Sequence, residues 1–335
     1  MPFNQAQCKE AHDLLKAHGS TYAASRASGI HHTTLKRRAD AYKPQGPSIP
    51  VFPEDDVPIE EIIEGMSRRF EKKHAHQQSL RWFPITFKSN EPIGLVLVGD
   101  PHVDDNGCNW PLLKRHVEVM RQPGVYAVNI GDANNNWAGR LTQLYADQDT
   151  SRGTAWKLVK WLLLDSGIKW LVWLDGNHGS WGDGSQIVRE MNAHRVPMQE
   201  WSAQFKLVFP EWECRVWAAH DFPGHSMWNS LHAPQKTAHM KDWAHIYACG
   251  HTHNWALHQE ESASRDFVYW LARSRGYKYL DGYAERLGHQ SQKHGASVMA
   301  VINPQGSSDV TRVQCFADIE QGAEYLKYLR GGKPG

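Results

Sequence analysis

The chain has 335 residues, which is enough for one large domain and a small one, and its composition is that of a folded protein rather than a disordered one. The net charge of +1 at pH 7 argues neither for nor against a nucleic-acid partner. The apolar runs are shorter than the roughly 18 to 20 residues that a bilayer requires, which excludes a membrane-spanning helix.

The amino terminus and the cysteines both indicate a cytoplasmic protein. The first residues, MPFNQAQCKE, lack the charged and then apolar pattern of a secretory signal. The five cysteines are widely scattered and form neither a C-x-x-C pair nor a compact disulfide framework. We therefore expect a reduced protein that stays in the cytoplasm.

Residues 1–45 form the first predicted unit, a small helical module. The stretch STYAASRASGIHHTTLKRRADAY predicts a short helix, a turn at Gly29 and a second helix. Alanine and serine keep the first helix slim, and Ile30 and Leu35 can pack between the helices. This order is similar to a helix-turn-helix, whose second helix enters the major groove of DNA.

The charge of this module indicates the same partner. It holds seven Lys or Arg residues against three Asp or Glu residues, a local excess of +4, as a phosphate-binding module does. The candidate DNA contacts on or near the second helix are Thr33, Lys36, Arg37 and Arg38. DNA is the expected partner, and a helical bundle used for protein contacts is the alternative.

Residues 46–92 are predicted to connect this module to the rest of the chain. The stretch KPQGPSIPVFPEDDVP carries several prolines, which remove backbone donors and block a helix, so it predicts a linker. The following IEEIIEGMSRRFEKKHAHQQ predicts a charged helix, acidic at its start and basic at its end, as the helix dipole favours.

Strands and helices alternate from Ile93 onward, which predicts an α/β domain over residues 93–318, followed by a helix and tail over residues 319–335. Five apolar runs in this domain predict strands, and each is followed by residues that bind metals. These residues are Asp100 and His102, Asp132, Asn177 and His178, His220, and His251 and His253. Because ligands bind beyond the carboxyl ends of strands in open α/β sheets, we expect these side chains to meet.

The residue types define the kind of site. Two Asp, one Asn and four His residues give oxygen and nitrogen donors without thiolate, a set that suits Mn, Fe, Zn or Ni better than a structural zinc–sulfur site. Seven donors are too many for one tetrahedral ion, and they suit two ions that share a carboxylate. Two ions about 3.5 to 4 Å apart hold both the attacking and the leaving oxygen of a phosphoryl displacement. We therefore expect two divalent metal ions, with manganese as the first choice.

The order of these motifs resembles the calcineurin-like metallophosphoesterase superfamily over about residues 93–317. The motifs D-x-H, G-D, G-N-H, H and G-H-x-H here read Asp100-Pro-His102, Gly131-Asp132, Gly176-Asn177-His178, His220 and Gly250-His251-Thr252-His253. The resemblance implies two facing β-sheets flanked by helices, with the metals at the strand ends.

The resemblance also implies a role for each residue. Asp100, His102, Asp132 and His253 would hold one ion, and Asp132, Asn177, His220 and His251 would hold the other, with Asp132 as the bridge. A hydroxide that bridges the ions would attack phosphorus in line. His178 would not be a ligand, and it would face the leaving oxygen as an acid or as a stabiliser of charge.

Departures from the family pattern bear on the substrate. The protein Ser/Thr phosphatases carry G-D-x-x-D-R-G and R-G-N-H-E, where this chain has GDANNNW and DGNHGS. The missing arginines grip a phosphomonoester dianion, so their absence favours a phosphodiester, although Arg140 keeps a monoester open. Trp137 and Trp181 follow two of the motifs and are candidate rim residues that stack on bases, with plain packing as the alternative.

Four other residues near the motifs are given structural roles. Asp104 and Asp105 match no ligand of the family and are interpreted as loop residues. Trp170 and Trp173 lie in an apolar run and are expected in the core.

The complete layout resembles phosphoesterases encoded by tailed phages and prophages, which would place the protein in a host cytoplasm. We therefore expect a dimetal-dependent hydrolase, a phosphodiesterase or nuclease acting on DNA. The alternative is a phosphatase or phosphodiesterase of small phosphorylated molecules such as nucleotides, with the first module used for protein assembly. A DNA-binding protein with an inactive phosphoesterase domain is disfavoured because every expected ligand is present.

Overall fold

The computed structural model describes residues 3–44, 46, 52, 56–262, 264–279 and 294–331. Much of the predicted proline-rich linker and the end of the predicted tail lie outside these residues. The chain divides into two units, Met1–Ser67 and Arg68–Gly335. No helix within the described ranges is both long enough and apolar enough to cross a bilayer.

The first unit contains the short helices α1 (Gln5–His18), α2 (Thr21–Ser28) and α3 (His32–Asp40). Ser20 caps α2, because its side chain accepts a backbone N–H of the first turn. α2 ends at Ser28, and the capping residue Gly29 has a φ of 72°, a left-handed conformation that costs glycine little. The predicted helix, turn at Gly29 and second helix are confirmed.

These three helices pack around a small apolar core. Ala11, Ala24, Leu35 and Ala39 are buried in it, and Ile30 packs against it. Small alanine side chains let the helices approach closely, while Leu35 fills the space between them. The predicted packing of Ile30 and Leu35 is confirmed, and DNA binding by this unit stays a prediction.

The predicted charged helix is α4 (Ile59–Ser79), which crosses the boundary between the two units. Glu60 and Glu61 lie in its first turn. Their negative charges stabilise the positive end of the helix dipole, so the local sequence accounts for where this helix begins.

The second unit is built on two six-stranded sheets. Sheet I contains, in spatial order, β12 (Val313–Phe316), β11 (Ser297–Ile302), β2 (Ile93–Val98), β3 (Val125–Asn129), β4 (Trp170–Leu174) and β5 (Met198–Gln199). Sheet II contains β1 (Arg81–Thr86), β6 (Ser202–Val208), β7 (Glu213–Ala219), β8 (Ile246–Cys249), β10 (Phe267–Arg273) and β9 (Ala256–Ser262). Both sheets mix parallel and antiparallel pairs. The predicted α/β class is confirmed.

An apolar core joins the two sheets. Leu95 and Leu97 of β2 belong to one buried cluster with Phe205 of β6 and Val216 of β7. Val96, which points to the opposite face of β2, belongs to a second cluster. Because β2 is buried on both faces, its sequence is a continuous apolar run rather than an alternating one.

Helices supply the second cluster on the other face of sheet I. They are α5 (Trp110–Met120), α6 (Arg152–Lys160), α8 (Gly184–Asn192) and α11 (Ile319–Leu329). Trp170 and Trp173 are buried in the same cluster, as predicted. The second unit also contains α7 (Gly176–Ser180), α9 (His232–Met240), α10 (Asp309–Arg312), a 3-10 helix over Gly139–Asp147 and a π-helical turn over Trp161–Asp165.

The strand β1 lies in the range predicted as linker and helix. It pairs in parallel with β6 at the edge of sheet II. Pro84 within the sequence RWFPIT argues against a central strand, but an edge strand tolerates a residue without a backbone N–H. The second unit therefore contains residues that precede the predicted boundary at 93. At its other end, Ile319 and Leu326 of α11 belong to the core cluster of sheet I.

His245 makes the second unit sensitive to acid. The backbone N–H of Arg215 donates to Nδ1 of His245 over 2.9 Å, and the ring packs against Trp212 and Trp243. Burial lowers the pKa of His245 to about 4, below the value of about 6.5 for an unfolded chain. Below about pH 6.5, His245 therefore binds a proton in the unfolded chain but not in the folded chain. The free energy of unfolding then falls by up to about 1.4 kcal/mol for each pH unit.

Replacement of this histidine should reduce the loss of stability in acid. His245→Asn removes the titrating ring, so its free energy of unfolding, measured by urea denaturation from about pH 7 to about pH 5, should depend less on pH than that of the wild type. His258→Asn changes an exposed histidine and should keep the wild-type dependence. Parallel pH curves for the wild type and His245→Asn would contradict this account.

Candidate metal centre

The strand ends of both sheets carry the predicted metal ligands. β2, β3 and β4 are parallel neighbours in sheet I, so Asp100, Asp132 and Asn177 follow them at the same edge. β7 and β8 are parallel neighbours in sheet II, and His220 and His251 follow them. All five predicted strands exist. Their ligands come from two sheets that share a core, and not from the edge of one open sheet.

The backbone at several of these residues is unusual. φ is positive at Asp100 (42°), His102 (41°), Asp132 (50°), His251 (70°) and His253 (51°). Left-handed backbone is uncommon for residues with a Cβ, and each instance costs of order 1–3 kcal/mol. Strain of this kind persists where the surrounding structure enforces it, and it clusters at functional sites.

Two glycines of the motifs allow the loops to approach each other. Gly131 and Gly176 both have positive φ. A Cβ at Gly131 would collide with the ring of His220, and a Cβ at Gly176 would collide with the carboxylate of Asp132. Glycine is therefore required at both positions for close packing as well as for backbone conformation.

The first cluster consists of Asp100, His102 and His253, whose donor atoms lie within 4.8 Å of one another. Asp100 and His102 are buried. Within the described part of the chain, Oδ1 of Asp100 and both ring nitrogens of His102 have no hydrogen-bond partner. Buried polar atoms without partners are costly, and a cation bound by Oδ1 of Asp100 and one ring nitrogen of His102 would reduce that cost. The cluster therefore fits a metal ion.

The second cluster consists of Asp132, His220 and His251, whose donor atoms also lie within 4.8 Å of one another. Nε2 of His220 lies 3.2 Å from Oδ2 of Asp132 and 2.9 Å from Nδ1 of His251. The same nitrogen lies 2.7 Å from Oδ1 of Asn177. Ligand atoms that share one ion at about 2.1 Å are about 3 Å apart, so this spacing also fits a cation.

Asp132 reaches the donor atoms of both clusters. Besides its contacts in the second cluster, its carboxylate lies within 4.8 Å of donor atoms of His102 and His178. It is almost completely buried. A carboxylate in this position is placed to bridge two cations, which is the role that the family resemblance implies.

Protons and cations compete for these groups. Burial raises the pKa of Asp100 to about 7, against the charge of His220. Burial lowers the pKa of His220, but the charge and hydrogen bond of Asp132 outweigh it and raise that pKa to about 9. Burial also lowers the pKa of His102 and His251, which favours the neutral imidazole that binds metals. A cation that enters the centre must therefore displace protons.

His178 lies beside Asp132 with a fixed ring orientation. Its Nδ1 lies 2.6 Å from the carbonyl oxygen of Asn135, and its Nε2 lies 4.0 Å from Oδ2 of Asp132. Because a carbonyl only accepts, Nδ1 carries the proton and Nε2 is directed towards Asp132. The ring centroids of Trp137 and Trp181 lie 5.1 and 4.2 Å from the centroid of the imidazole ring. Burial lowers the pKa of His178.

The residues that hold His178 in place were missed in the sequence. Oδ1 of Asp104 accepts the backbone N–H of Asn135, and Oδ2 of Asp105 accepts its side-chain amide, each over 2.8 Å. The side-chain amide of Asn136 donates to the carbonyl of His178. Asp104 and Asp105 are loop residues, as interpreted, but they support the loop that binds the His178 ring. Two polar runs after strands, DD and NNN, are the signal that could have identified them.

Arg273 joins two of the loops that carry the second cluster, those that follow β7 and β8. Its guanidinium donates to the carbonyl of Gly250 and the hydroxyl of Thr252, and it pairs with Asp221 over 3.0 Å. Asp221 directly follows the candidate ligand His220. This support depends on contacts between distant segments, so an arginine at the end of a strand carries no signal for it in the sequence.

The predicted rim residues lie near the surface. Trp137 and Trp181 are half-buried, and their contacts with His178 favour packing as one of their roles. Arg140 is exposed on the 3-10 helix. Contact of these side chains with a substrate stays a prediction.

The predicted DNA contacts lie on α3 of the first unit. Thr33, Lys36 and Arg37 are exposed, and Arg38 is half-buried. The guanidinium groups of Arg37 and Arg38 lie 5.5 and 5.8 Å from the centre of the Phe3 ring. These arginines thus combine a cation–π contact with positive charge at the surface.

Comparison with known proteins adds no functional assignment. Neither the protein-family profiles nor the curated proteins that were searched match the chain. Among solved structures, one similar chain is described as GAP50, the anchor in the inner membrane complex of Plasmodium, at 11% identity and a TM-score of 0.33. The match covers 71% of this chain and 94% of that chain. A likeness at this level carries no argument about fold or function.

The donor set predicts that the chain binds two divalent ions. Elemental analysis after reconstitution with Mn²⁺ should approach two equivalents, and Asp132→Asn should weaken both ions because the shared carboxylate loses its charge. Asp175→Asn is the matched control, since Asp175 is a buried carboxylate near the centre that belongs to neither cluster. Saturation of the wild type at one ion, without a second weaker site, would contradict the prediction.

Proposed function

We propose that this chain is a dimetal-dependent phosphoesterase of the calcineurin-like kind, and that its substrate is a phosphodiester of DNA. The observation that carries the proposal is the position of Asp132, whose carboxylate reaches donor atoms of both His- and Asp-containing clusters. A pair of ions that share a carboxylate is an arrangement typical of phosphoryl-transfer enzymes. The order of the ligand motifs in the sequence supports the same proposal.

Each ion would be held by residues from both sheets. Asp100, His102, Asp132 and His253 would hold one ion, and Asp132, Asn177, His220 and His251 would hold the other. Two bound divalent ions supply Lewis acidity at phosphorus and lower the pKa of bound water. Manganese, iron, zinc and nickel all suit these oxygen and nitrogen donors.

His178 would act on the leaving group. The backbone carbonyl of Asn135 accepts a hydrogen bond from Nδ1–H of His178, which holds the ring in one orientation and directs Nε2 towards Asp132. A proton on Nε2 would be delivered to the leaving oxygen, or the ring would stabilise the charge that develops there. Trp137 and Trp181 lie against the ring.

The charges around the centre favour a diester over a monoester. The nearby cations Arg273 and Lys278 are already paired with Asp221 and Asp105. A monoester carries a second negative charge that would need a further cationic group. A diester has one negative charge on its phosphate, so two metal ions neutralise it without arginine.

The surface of α3 in the first unit favours a polymer, DNA, as the substrate. Exposed Thr33, Lys36 and Arg37 on α3 present hydroxyl and cationic groups of the kind that contact the phosphates of DNA. The metal centre lies in the second unit, and α3 lies in the first. We therefore propose that the first unit binds DNA and so raises its local concentration at the metal centre. It would not contribute groups to the reaction.

His178→Asn should lower turnover by roughly 10²- to 10⁴-fold on a diester with an alcohol leaving group. The loss should be smaller on a nitrophenyl ester, because a nitrophenolate leaves without a proton. Metal content, measured on the same samples, should stay near that of the wild type. Loss of metal in parallel with activity would show that His178 is a ligand or a scaffold residue and would remove its proposed role.

Combined replacement of Lys36, Arg37 and Arg38 by alanine should weaken binding to long duplex DNA and flatten its dependence on salt, since fewer counterions are released. Turnover of a small chromogenic diester should be unchanged. Combined replacement of Lys9, Lys16 and Lys43 by alanine removes the same charge from exposed positions outside α3, and it should have a smaller effect.

Equal effects of the two triple variants would mean that α3 makes no specific contact with DNA. If neither variant changes duplex binding across a salt series, the first unit is an assembly module. Small phosphorylated molecules such as nucleotides would then be the better candidates for the substrate.

A further inference from the structure

Trp201 lies beside the second cluster and was not recognised in the sequence. Its ring centroid is 5.2 Å from that of His220 and 6.3 Å from that of His251. The residue is nevertheless 45% exposed. An aromatic side chain therefore borders the candidate ligands of one ion and is accessible from solution.

The position of this side chain is fixed by hydrogen bonds. Nε1 of Trp201 donates to the carbonyl of Asp221 over 2.9 Å, and the carbonyl of Trp201 accepts the backbone N–H of His220 over 2.8 Å. Both contacts lie at the carboxyl end of β7. The polar edge of the indole is thus satisfied, and apolar ring surface is left exposed next to a strongly polar centre.

Aromatic side chains also border a second part of the centre. Trp137 and Trp181 contact His178, and their rings lie 6.4 Å from each other. Trp201 instead contacts His220, so it borders a different part of the centre from Trp137 and Trp181. A phosphodiester carries a substituent on each side of phosphorus, so two separate aromatic borders match two substituents.

We propose that Trp201 is a stacking platform for a flat ring attached to the phosphodiester, which in a nucleotide substrate is a nucleobase. This proposal rests on the proposed function, because a phosphate held at the metal ligands would bring the ring to Trp201. A sugar separates each base from its phosphate, so the base lies beside the reacting group and not on it. Stacking accepts every base, since each has a flat face.

Two diesters with the same leaving group test this platform. Thymidine 5′-(p-nitrophenyl phosphate) carries a base on the retained side, and methyl p-nitrophenyl phosphate carries none. Trp201→Leu should lower kcat/KM for the thymidine ester by about 5- to 150-fold, mainly through KM, and should leave the methyl ester unchanged. Trp201→Phe keeps a flat ring and should retain most of the preference for the thymidine ester.

Trp228→Leu is the matched control, because Trp228 is 94% exposed in the same unit. It should leave both esters unchanged. Equal losses of Trp201→Leu on the two esters would overturn the proposal, and so would loss of bound metal in both Trp201 variants. Either result would mean that Trp201 serves to position His220.

A binding experiment separates this proposal from the proposed activity. Isothermal titration calorimetry on the Mn²⁺-loaded protein should show tighter binding of thymidine 5′-monophosphate than of methyl phosphate, and Trp201→Leu should abolish the difference. If that difference is found but neither ester is hydrolysed, the stacking platform stands and the proposed function fails. If the wild type binds both phosphates equally, the platform is overturned.

Discussion

The carboxylate of Asp132 is the group at which loops from both sheets meet. It follows β3 of sheet I, accepts the backbone N–H of His178 and lies 3.2 Å from Nε2 of His220, which follows β7 of sheet II. A second buried carboxylate, that of Asp100, belongs to the neighbouring cluster. Buried charges are costly unless they are paired or bind metals. The pKa values of His220 and Asp100 are both raised, so bound protons neutralise part of the negative charge of these carboxylates.

Supporting residues keep the loops around this carboxylate in place. Gly131 and Gly176 remove the side chains that would separate the loops. Arg273 joins the loops of sheet II, and Asp104 anchors Asn135 and therefore the ring of His178. Several candidate ligands in these loops have left-handed backbone, a conformation that persists where the surrounding structure enforces it. Rigid strands thus end in loops whose shape is set by hydrogen bonds.

The parts of this arrangement that depend on local sequence were predictable. Apolar runs such as Ile93–Val98 specify buried strands, and a candidate ligand follows each of the five, with a glycine before it after every one except β7. β1 was not predictable, because Pro84 breaks the strand pattern and its partner β6 lies far along the chain. Arg273 and Trp201 were not predictable either, because their roles arise only when segments from different strands meet. The candidate ligands can therefore be identified from local sequence, whereas the residues that support them are identified only from the fold.

We propose that two cations share the carboxylate of Asp132. Electron paramagnetic resonance of the protein loaded with Mn²⁺ tests it directly, because two bridged ions are coupled by spin exchange. We expect the spectrum of a coupled manganese pair in the wild type, and its loss in Asp132→Asn. The six-line spectrum of isolated Mn²⁺ in the fully loaded wild type would contradict it.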